Sequence, residues 1–314
     1  MSANSRYSQD VLLILDDQNS PLADLCAQVV PADLHYGASS DPDPSLLAAT
    51  TIMIGAPDKI ARFLSDAPAL KWVQSTWAGV TPLINHPRRD YQLTGLKGVF
   101  GQVMSEYVLG WILALERQIL DYAQDTSWNQ RAPVTVLGKR LGIMGTGDIA
   151  CDVALAAQAL GLRVTGFNRS GRCPPVFESC FTYEQRLDFA KDLDYLLCVM
   201  PNTPETDNLV STDLLHALAP NAVLLNTGRG NCVDEDALVQ VLDSGHLRAA
   251  VLDVFNEEPL PSSHRFWPHP QVYVTSHTSA PTNIEAAVRV FAQNLERFLK
   301  NQPLLHVVDF AKGY

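Results

Sequence analysis

Residues 140–150, Arg140-Leu-Gly-Ile-Met-Gly-Thr-Gly-Asp-Ile-Ala150, decide the fold. They read as a short buried strand, a glycine turn and the first turn of a helix. Gly145 and Gly147 stand where a dinucleotide fingerprint needs them, one for the tight turn and one for close approach of backbone to a pyrophosphate. Thr146 lies between them, and Asp148 and Ile149 open the helix. Apolar residues at Ile149, Val153, Ala156, Ala157 and Leu160 keep helical spacing, and Gly161 suits a helix C-terminus. A second apolar strand follows at residues 162–167. A glycine pattern alone is weak, but set between two strands it predicts a nucleotide-binding βαβ unit with phosphate at the helix N-terminus.

Strand and helix signals alternate on both sides of this motif. Before it, strands are expected at residues 11–15, 51–55 and 72–74, with a helix at 57–65 and a long one at 103–126. After it, strands are expected near 195–199, 222–226, 249–253 and 272–275, separated by helices near 211–219 and 234–244. Ser211 and Asp234 are candidate N-caps. Such alternation predicts an α/β protein with parallel sheets covered on both faces. The motif begins in mid-chain, so the first hundred residues must form a separate α/β unit. The last helix, about 282–299, leads into no further strand and is free to pack back on that unit. The expected division is therefore a discontinuous domain, 1–102 plus 284–314, and a nucleotide-binding Rossmann domain, 103–283. These would be two Rossmann-like or flavodoxin-like domains with a cleft between them.

Composition excludes several functions. Hydrophobic residues make up 46% of the 314-residue chain and charged residues 18%, which suits a globular protein with a sizeable core. Asp and Glu exceed Lys and Arg by 34 to 23, a net charge of -11, which argues against nucleic acid or an anionic membrane as partner. No apolar run is long enough for a membrane span, and the polar residues 1–10 lack the core of a secretory leader. The six cysteines, Cys26, Cys151, Cys173, Cys180, Cys198 and Cys232, show no zinc spacing, so no metal is expected. Reduced thiols in a cytoplasmic protein is the simpler reading.

The coenzyme is read from the end of the strand after the motif. An acidic residue there would bind the ribose 2′-hydroxyl of NAD. The chain instead has Asn168, followed by Arg169, Ser170 and Arg172. No carboxylate repels a 2′-phosphate, and two guanidinium groups and a hydroxyl are available to bind one. NADP(H) is expected over NAD(H).

Three later segments each carry one polar residue at a predicted strand end: Arg229 in residues 224–230, Glu258 in 251–261 and His277 in 272–280. Ligands of open parallel sheets bind beyond the carboxyl ends of strands, so the three can converge. With these motifs the chain resembles the D-isomer-specific 2-hydroxyacid dehydrogenase family over nearly its full length. The resemblance rests on the glycine turn, Pro201-Asn-Thr-Pro-Glu-Thr206, Asn226-Thr-Gly-Arg-Gly230, Leu252-Asp-Val-Phe255 with Glu258-Pro-Leu-Pro261, and Ser276-His277. Within that family, the Asn-Arg-Ser loop and the ending at residues 309–314 look like the bacterial NADP-dependent glyoxylate/hydroxypyruvate reductases.

The resemblance implies an oxidoreductase that reduces small 2-oxoacids to D-2-hydroxyacids with NADPH, as a cytoplasmic homodimer. It implies His277 as general acid, a task suited to imidazole, which titrates near neutrality. Glu258 would hold the imidazole, and Arg229 would bind the substrate carboxylate, for which a planar guanidinium suits better than an ammonium. Backbone N–H groups of Ala78, Gly79 and Val80 would hold the carboxylate too, with Trp77 as a pocket wall. Met104 would pack near the nicotinamide and Asp253 would bind its carboxamide. Pro201, Thr206, Thr227 and Gly228 would line the coenzyme. Two other readings are an enzyme of the same family acting on another donor, such as phosphite or formate, and a non-catalytic NAD(P)-sensing regulator on the same fold. Three positions depart from the family pattern: Ala150 for the third glycine, Asn168 for the acid, and Ser276 for a proline, which is expected to loosen His277.

Overall fold

The computed structural model describes residues 9–17, 20–132 and 134–313. Most of the polar opening segment, residues 1–8, and the final Tyr314 lie outside them. The chain forms two compact units, one up to Val99 and again from Thr282, the other Phe100–Pro281. The divisions expected at 102/103 and 283/284 stand slightly later than these.

In the first unit, strands β1 (Val11–Leu15), β2 (His35–Ala38), β3 (Ile52–Gly55), β4 (Trp72–Ser75) and β5 (Gln92–Thr94) form a parallel sheet ordered β2-β1-β3-β4-β5. Helices α1 (Leu22–Ala27), α2 (Pro44–Ala49), α3 (Pro57–Phe63) and α4 (Thr81–Asn85) connect the strands. Side chains alternate between two cores, as strand geometry requires. Leu13, Leu15, Met53 and Val73 enter one; Leu12, Ile14, Ile52 and Trp72 enter the other. The second core also holds Phe291 and Leu295 of the last helix of the chain (Ile284–Leu299), and Trp72 stacks between Phe291 and Phe298 at 5.5 and 5.4 Å. The buried Asn294 of that helix donates to Gln74 Oε1 at 3.2 Å, which fixes its register on the sheet.

The second unit begins with α5 (Gly101–Glu116) and α6 (Ile119–Gln124). The single helix expected over 103–126 is broken at Gln118, which takes φ +53°. The periodicity continues through Ile119 and Tyr122, but both side chains are exposed, whereas the end of α5 is fixed by buried Glu116, paired with Lys139 and Arg248. Strands β6 (Arg140–Met144), β7 (Arg163–Phe167), β8 (Cys180–Phe181), β9 (Tyr195–Cys198), β10 (Ala222–Asn226), β11 (Leu247–Leu252) and β12 (Val272–Val274) form a parallel sheet ordered β12-β11-β10-β9-β6-β7-β8. Helices α7 (Asp148–Ala159), α8 (Arg186–Ala190), α9 (Thr212–Ala217) and α10 (Glu235–Asp243) cover its faces, and the last helix is α11. Asp234 caps α10 by accepting from the Ala237 N–H at 3.0 Å, while Ser211 makes no side-chain cap on α9. β6 has β7 on one side and β9 on the other, so the strand order reverses there. A crevice for ligand opens beyond such a switch point, and the glycine turn stands at it.

Among the described residues, no helix is long and apolar enough to cross a membrane.

Candidate active site

The glycine turn leaves the end of β6 at the switch point. Gly145 has φ +102°, and a Cβ there would lie 3.0 Å from the Val199 carbonyl oxygen, so the fold itself demands glycine. Gly147 differs: a Cβ there would meet nothing within 4 Å. No protein contact explains that glycine. Open space above the first turn of α7 is what a pyrophosphate on the helix N-terminus needs, so these residues fit a dinucleotide. Ala150, in place of the third glycine, is buried in the packing of α7.

Asn168 organises the loop at the end of β7. Its Nδ2 donates to Thr146 Oγ1 at 2.9 Å and to the Arg172 carbonyl at 2.8 Å. Its Oδ1 accepts from the Ser170 N–H and hydroxyl, both at 3.0 Å. The amide thus ties the glycine turn to the loop and leaves Arg169 and Arg172 exposed. In the turn 201–206, its own backbone N–H and the Thr203 hydroxyl hold the Glu205 carboxyl below the ordinary carboxylate value, with a smaller part from the Arg169 charge. In that turn Thr206 Oγ1 donates to the Pro201 carbonyl.

Arg229 follows β10. Asn226 shapes its turn, with Oδ1 accepting from the Gly228 N–H at 3.2 Å and Nδ2 donating to the Arg229 carbonyl at 3.0 Å. The Thr227 N–H donates to the Cys198 carbonyl, and a Cβ on Gly228 would lie 2.8 Å from the Met200 nitrogen, so the two strand-end turns touch through backbone. Burial holds the Arg229 pKa below its ordinary value, with the Glu258 carboxylate opposing that shift. A guanidinium short of solvent and without a full counter-charge suits an anionic ligand.

Glu258 Oε1 accepts from the Phe255 N–H at 2.9 Å, and its Oε2 lies 2.8 Å from His277 Nδ1. A carboxylate only accepts, so Nδ1 carries the proton of this bond and Nε2 is the ring nitrogen left for proton transfer. His277 itself has φ +54°, unusual for a residue with a Cβ. Fully buried Asp253 holds that conformation. Its carbonyl accepts from the His277 N–H, Oδ1 from the Thr278 N–H at 2.8 Å and Oδ2 from the Ser279 N–H at 3.0 Å. The Thr275 hydroxyl donates to Oδ1 at 2.5 Å. Burial pushes the Asp253 pKa up, but these hydrogen bonds outweigh it and hold the carboxyl below the ordinary carboxylate value. Where the family has proline before the histidine, this set of hydrogen bonds fixes the backbone around Ser276.

Arg229, Glu258 and His277 thus all lie in the second unit, on turns beyond the carboxyl ends of β10, β11 and β12. Met104 is buried on α5 of the same unit. Trp77, Ala78, Gly79 and Val80 lie in the first unit. There Ser75 Oγ accepts from the Trp77 N–H at 3.0 Å and donates to the Trp77 carbonyl at 2.9 Å, closing a small turn with the Trp77 ring partly exposed. Sequence reasoning gave no part to Asn226, Thr275, Tyr107 or Asn231. Tyr107 bonds Thr275 at 2.7 Å, and Asn231 Nδ2 donates to Thr206 Oγ1 at 3.4 Å, linking the Arg229 turn to the turn 201–206. Asn at a strand end is a turn-forming signal legible in sequence; a threonine or tyrosine partner is not. Among the described residues, no group of three or more His, Cys, Asp or Glu is arranged to hold a metal ion.

The profile of the D-isomer specific 2-hydroxyacid dehydrogenase NAD-binding domain matches residues 109–279. The chain belongs to the D-isomer-specific 2-hydroxyacid dehydrogenase family. It is 35% identical over 263 residues to the glyoxylate/hydroxypyruvate reductase A of Serratia proteamaculans, covering 80% of this chain and 84% of that protein. A family member from Aeromonas salmonicida superposes with a TM-score of 0.90 at 34% identity, covering 96% of this chain and all of that one. The NADPH-dependent glyoxylate/hydroxypyruvate reductase of Sinorhizobium meliloti, solved with NADP and sulfate, gives 0.86 at 30% identity, covering 97% and 100%. The protein is accordingly an NAD(P)-dependent oxidoreductase of the 2-hydroxyacid dehydrogenase type.

Proposed function

We propose that the protein reduces small 2-oxoacids of the glyoxylate and hydroxypyruvate kind to D-2-hydroxyacids, with NADPH preferred over NADH. The carrying observation is the 2.8 Å His277–Glu258 pair on the same strand-end face as Arg229 and the glycine turn. The bound coenzyme supplies hydride to the carbonyl carbon. His277 Nε2 gives a proton to the carbonyl oxygen, and Glu258 holds the ring and balances the imidazolium. Arg229 binds the carboxylate. In the first unit, the backbone N–H groups of Ala78, Gly79 and Val80 and the Trp77 ring keep the substrate-binding part that the family resemblance implies. Gly145, Thr146, Gly147, Asp148 and Ile149 hold the pyrophosphate. Asn168, Arg169, Ser170 and Arg172 receive the 2′-phosphate. Met104, Pro201, Thr206, Thr227 and Gly228 line the rest of the coenzyme, and Asp253 acts at its carboxamide end. The chemistry of the relatives and the absence of a carboxylate at position 168 support this reading. A homodimer in the cytoplasm belongs to the same proposal.

The test is a panel of 2-oxoacids, with phosphite and formate as other donors, followed by NADPH absorbance for the wild type and His277→Ala. The variant should lose kcat by about 10²–10⁴-fold, the range for a lost general acid, and keep its NADPH affinity. Unchanged turnover in the variant, or no turnover of any 2-oxoacid by the wild type, rejects the assignment.

A further inference from the structure

Asn256, Glu257, Glu258 and Pro259 are all exposed, so core packing does not place the turn that carries Glu258, and polar ties must. One such tie is Glu235, the first residue of α10, which lies a short way beyond the Arg229 turn. Its Oε1 accepts from the Asn256 N–H at 3.3 Å, and its Oε2 lies 3.4 Å from His264 Nε2. His264 Nδ1 accepts from the Phe266 N–H at 3.3 Å, so Nε2 carries the proton of the neutral ring and donates to Glu235. The His264 N–H in turn donates to the Pro261 carbonyl at 2.9 Å, and its ring meets Phe266 edge-on with centroids 4.6 Å apart. One carboxylate thus grips the Glu258 segment on both sides of the glutamate. The Glu235 and His264 side chains are only 18% and 20% exposed, so their bond is less screened than a surface contact.

The helix that presents Glu235 is itself anchored. Ala237, Leu238, Val241 and Leu242 of α10 are buried in the core of the second unit, and Asp234 caps its first turn. The Arg229 and Glu258 turns already meet at Gly230, where a Cβ would overlap the Phe255 carbonyl group. Glu235 adds a second point of attachment, which limits the rotation that one contact would leave.

We propose that Glu235 is a positioning residue for the reduction: through Asn256 and His264 it sets the Glu258 turn against the Arg229 turn, and with it the placement of the His277 ring. The proposal rests on the roles of Arg229, Glu258 and His277 given above. Glu235 transfers no proton; it acts through Glu258, whose Oε2 lies 2.8 Å from His277 Nδ1. Without Glu235 the turn keeps its contact at Gly230 and swings about it. Glu258 then withdraws from His277, and the imidazolium loses the negative charge that favours it. A misplacement of about 1 Å is enough to cost about 10²-fold in rate.

The experiment compares the full-length wild type with Glu235→Ala and Glu235→Gln. It measures thermal unfolding, steady-state kinetics with 2-oxoacid and NADPH, and the NMR titration of the His277 ring, whose signal is assigned by its loss in His277→Ala. Glu235→Ala should lower kcat about tenfold, equivalent to about 1.4 kcal/mol, with the KM for NADPH little changed. The His277 titration should move to lower pH as Glu258 withdraws. Glu235→Gln keeps an oxygen for the Asn256 N–H but loses the acceptor for His264, and should fall between the other two in both readouts. A role confined to stability would lower the unfolding temperature and leave kcat and the His277 titration of the folded enzyme at wild-type values. That result overturns the proposal, as does a loss of NADPH affinity in place of kcat. If Glu235→Ala does not fold, Glu235→Gln decides, and wild-type kcat and titration in it reject the proposal. A wild type that turns over no 2-oxoacid rejects the function proposed above, and the His277 titration then still judges the positioning.

Discussion

The N–H of His277 donates to the carbonyl oxygen of Asp253 at 2.8 Å, and His277 sits at φ +54°. A left-handed residue with a side chain costs roughly 1–3 kcal/mol and persists only where its surroundings over-determine it. The Asp253 carboxylate supplies that determination through the Thr275 hydroxyl and the N–H groups of Thr278 and Ser279. Asp253→Asn puts an NH₂ group against donors. It should cost about 1.5–3 kcal/mol at pH 7, the usual worth of a hydrogen bond to a charged group, and lower kcat by displacing His277. The folded-state pKa of Asp253 lies below the ordinary value, so its stabilisation is complete above the unfolded pKa of about 3.9 and is lost as pH falls through the folded one. Denaturant titrations should therefore show a gap between wild type and variant that is full at pH 7 and narrows in acid. A gap independent of pH would refute the carboxylate's part.

Gly230 and Gly147 should respond oppositely to alanine. A Cβ on Gly230 would overlap the Phe255 carbonyl group and the Asn256 nitrogen, both backbone, so the turns bearing Arg229 and Glu258 must separate. Gly230→Ala should destabilise by about 1–3 kcal/mol, the usual cost of overpacking, and lower kcat. A Cβ on Gly147 meets nothing within 4 Å. Gly147→Ala should cost at most about 1 kcal/mol of stability, the scale of a helix-cap change, but raise the KM for coenzyme. Thermal unfolding and steady-state kinetics on both variants give the comparison.

Sequence made the second sheet legible because its strands are short apolar runs bounded by glycine or polar turns, as at residues 140–147 and 222–230. It did not show β2, whose His35-Tyr-Gly-Ala38 is mostly exposed and has no apolar pattern, nor the two-residue β8. The break at Gln118 was hidden because Ile119 and Tyr122 keep helical spacing while facing solvent. The glycine turn, Arg229, Glu258 and His277 stand out as motifs at strand ends. The left-handed His277 does not, because that conformation is imposed by the buried Asp253 carboxylate and not by any local residue preference.

Asn168 tests the coenzyme choice. Its Nδ2 donates to both Thr146 Oγ1 and the Arg172 carbonyl, and a carboxylate can donate to neither. Asn168→Asp sets an oxygen against the Arg172 carbonyl and a negative charge beside the position proposed for the 2′-phosphate. The kcat/KM for NADPH should fall about 10- to 100-fold, one or two steps of about 1.4 kcal/mol, while that for NADH falls less. Equal losses with the two coenzymes would count against a 2′-phosphate at this loop.

Tyr107 lies one hydrogen bond behind the histidine turn. The Thr275 hydroxyl has one proton, and it goes to Asp253; the Tyr107 hydroxyl, 2.7 Å from Thr275 Oγ1, must therefore be the donor in their bond. Burial, opposed by that hydrogen bond and assisted by the Asp253 charge, pushes the Tyr107 pKa up to about 12, so the phenol keeps its proton through the working range. Tyr107→Phe removes the donor and keeps the ring. It should cost about 1 kcal/mol, the net worth of a neutral hydrogen bond, and lower kcat severalfold by loosening Thr275, with the KM for coenzyme little changed. Between pH 6 and 9 the kcat/KM profile should keep the wild-type shape, because Tyr107 titrates above that window and Asp253 below it. A profile whose limbs move in the variant would mean that Tyr107 takes part in proton transfer and does not simply hold Thr275 in place.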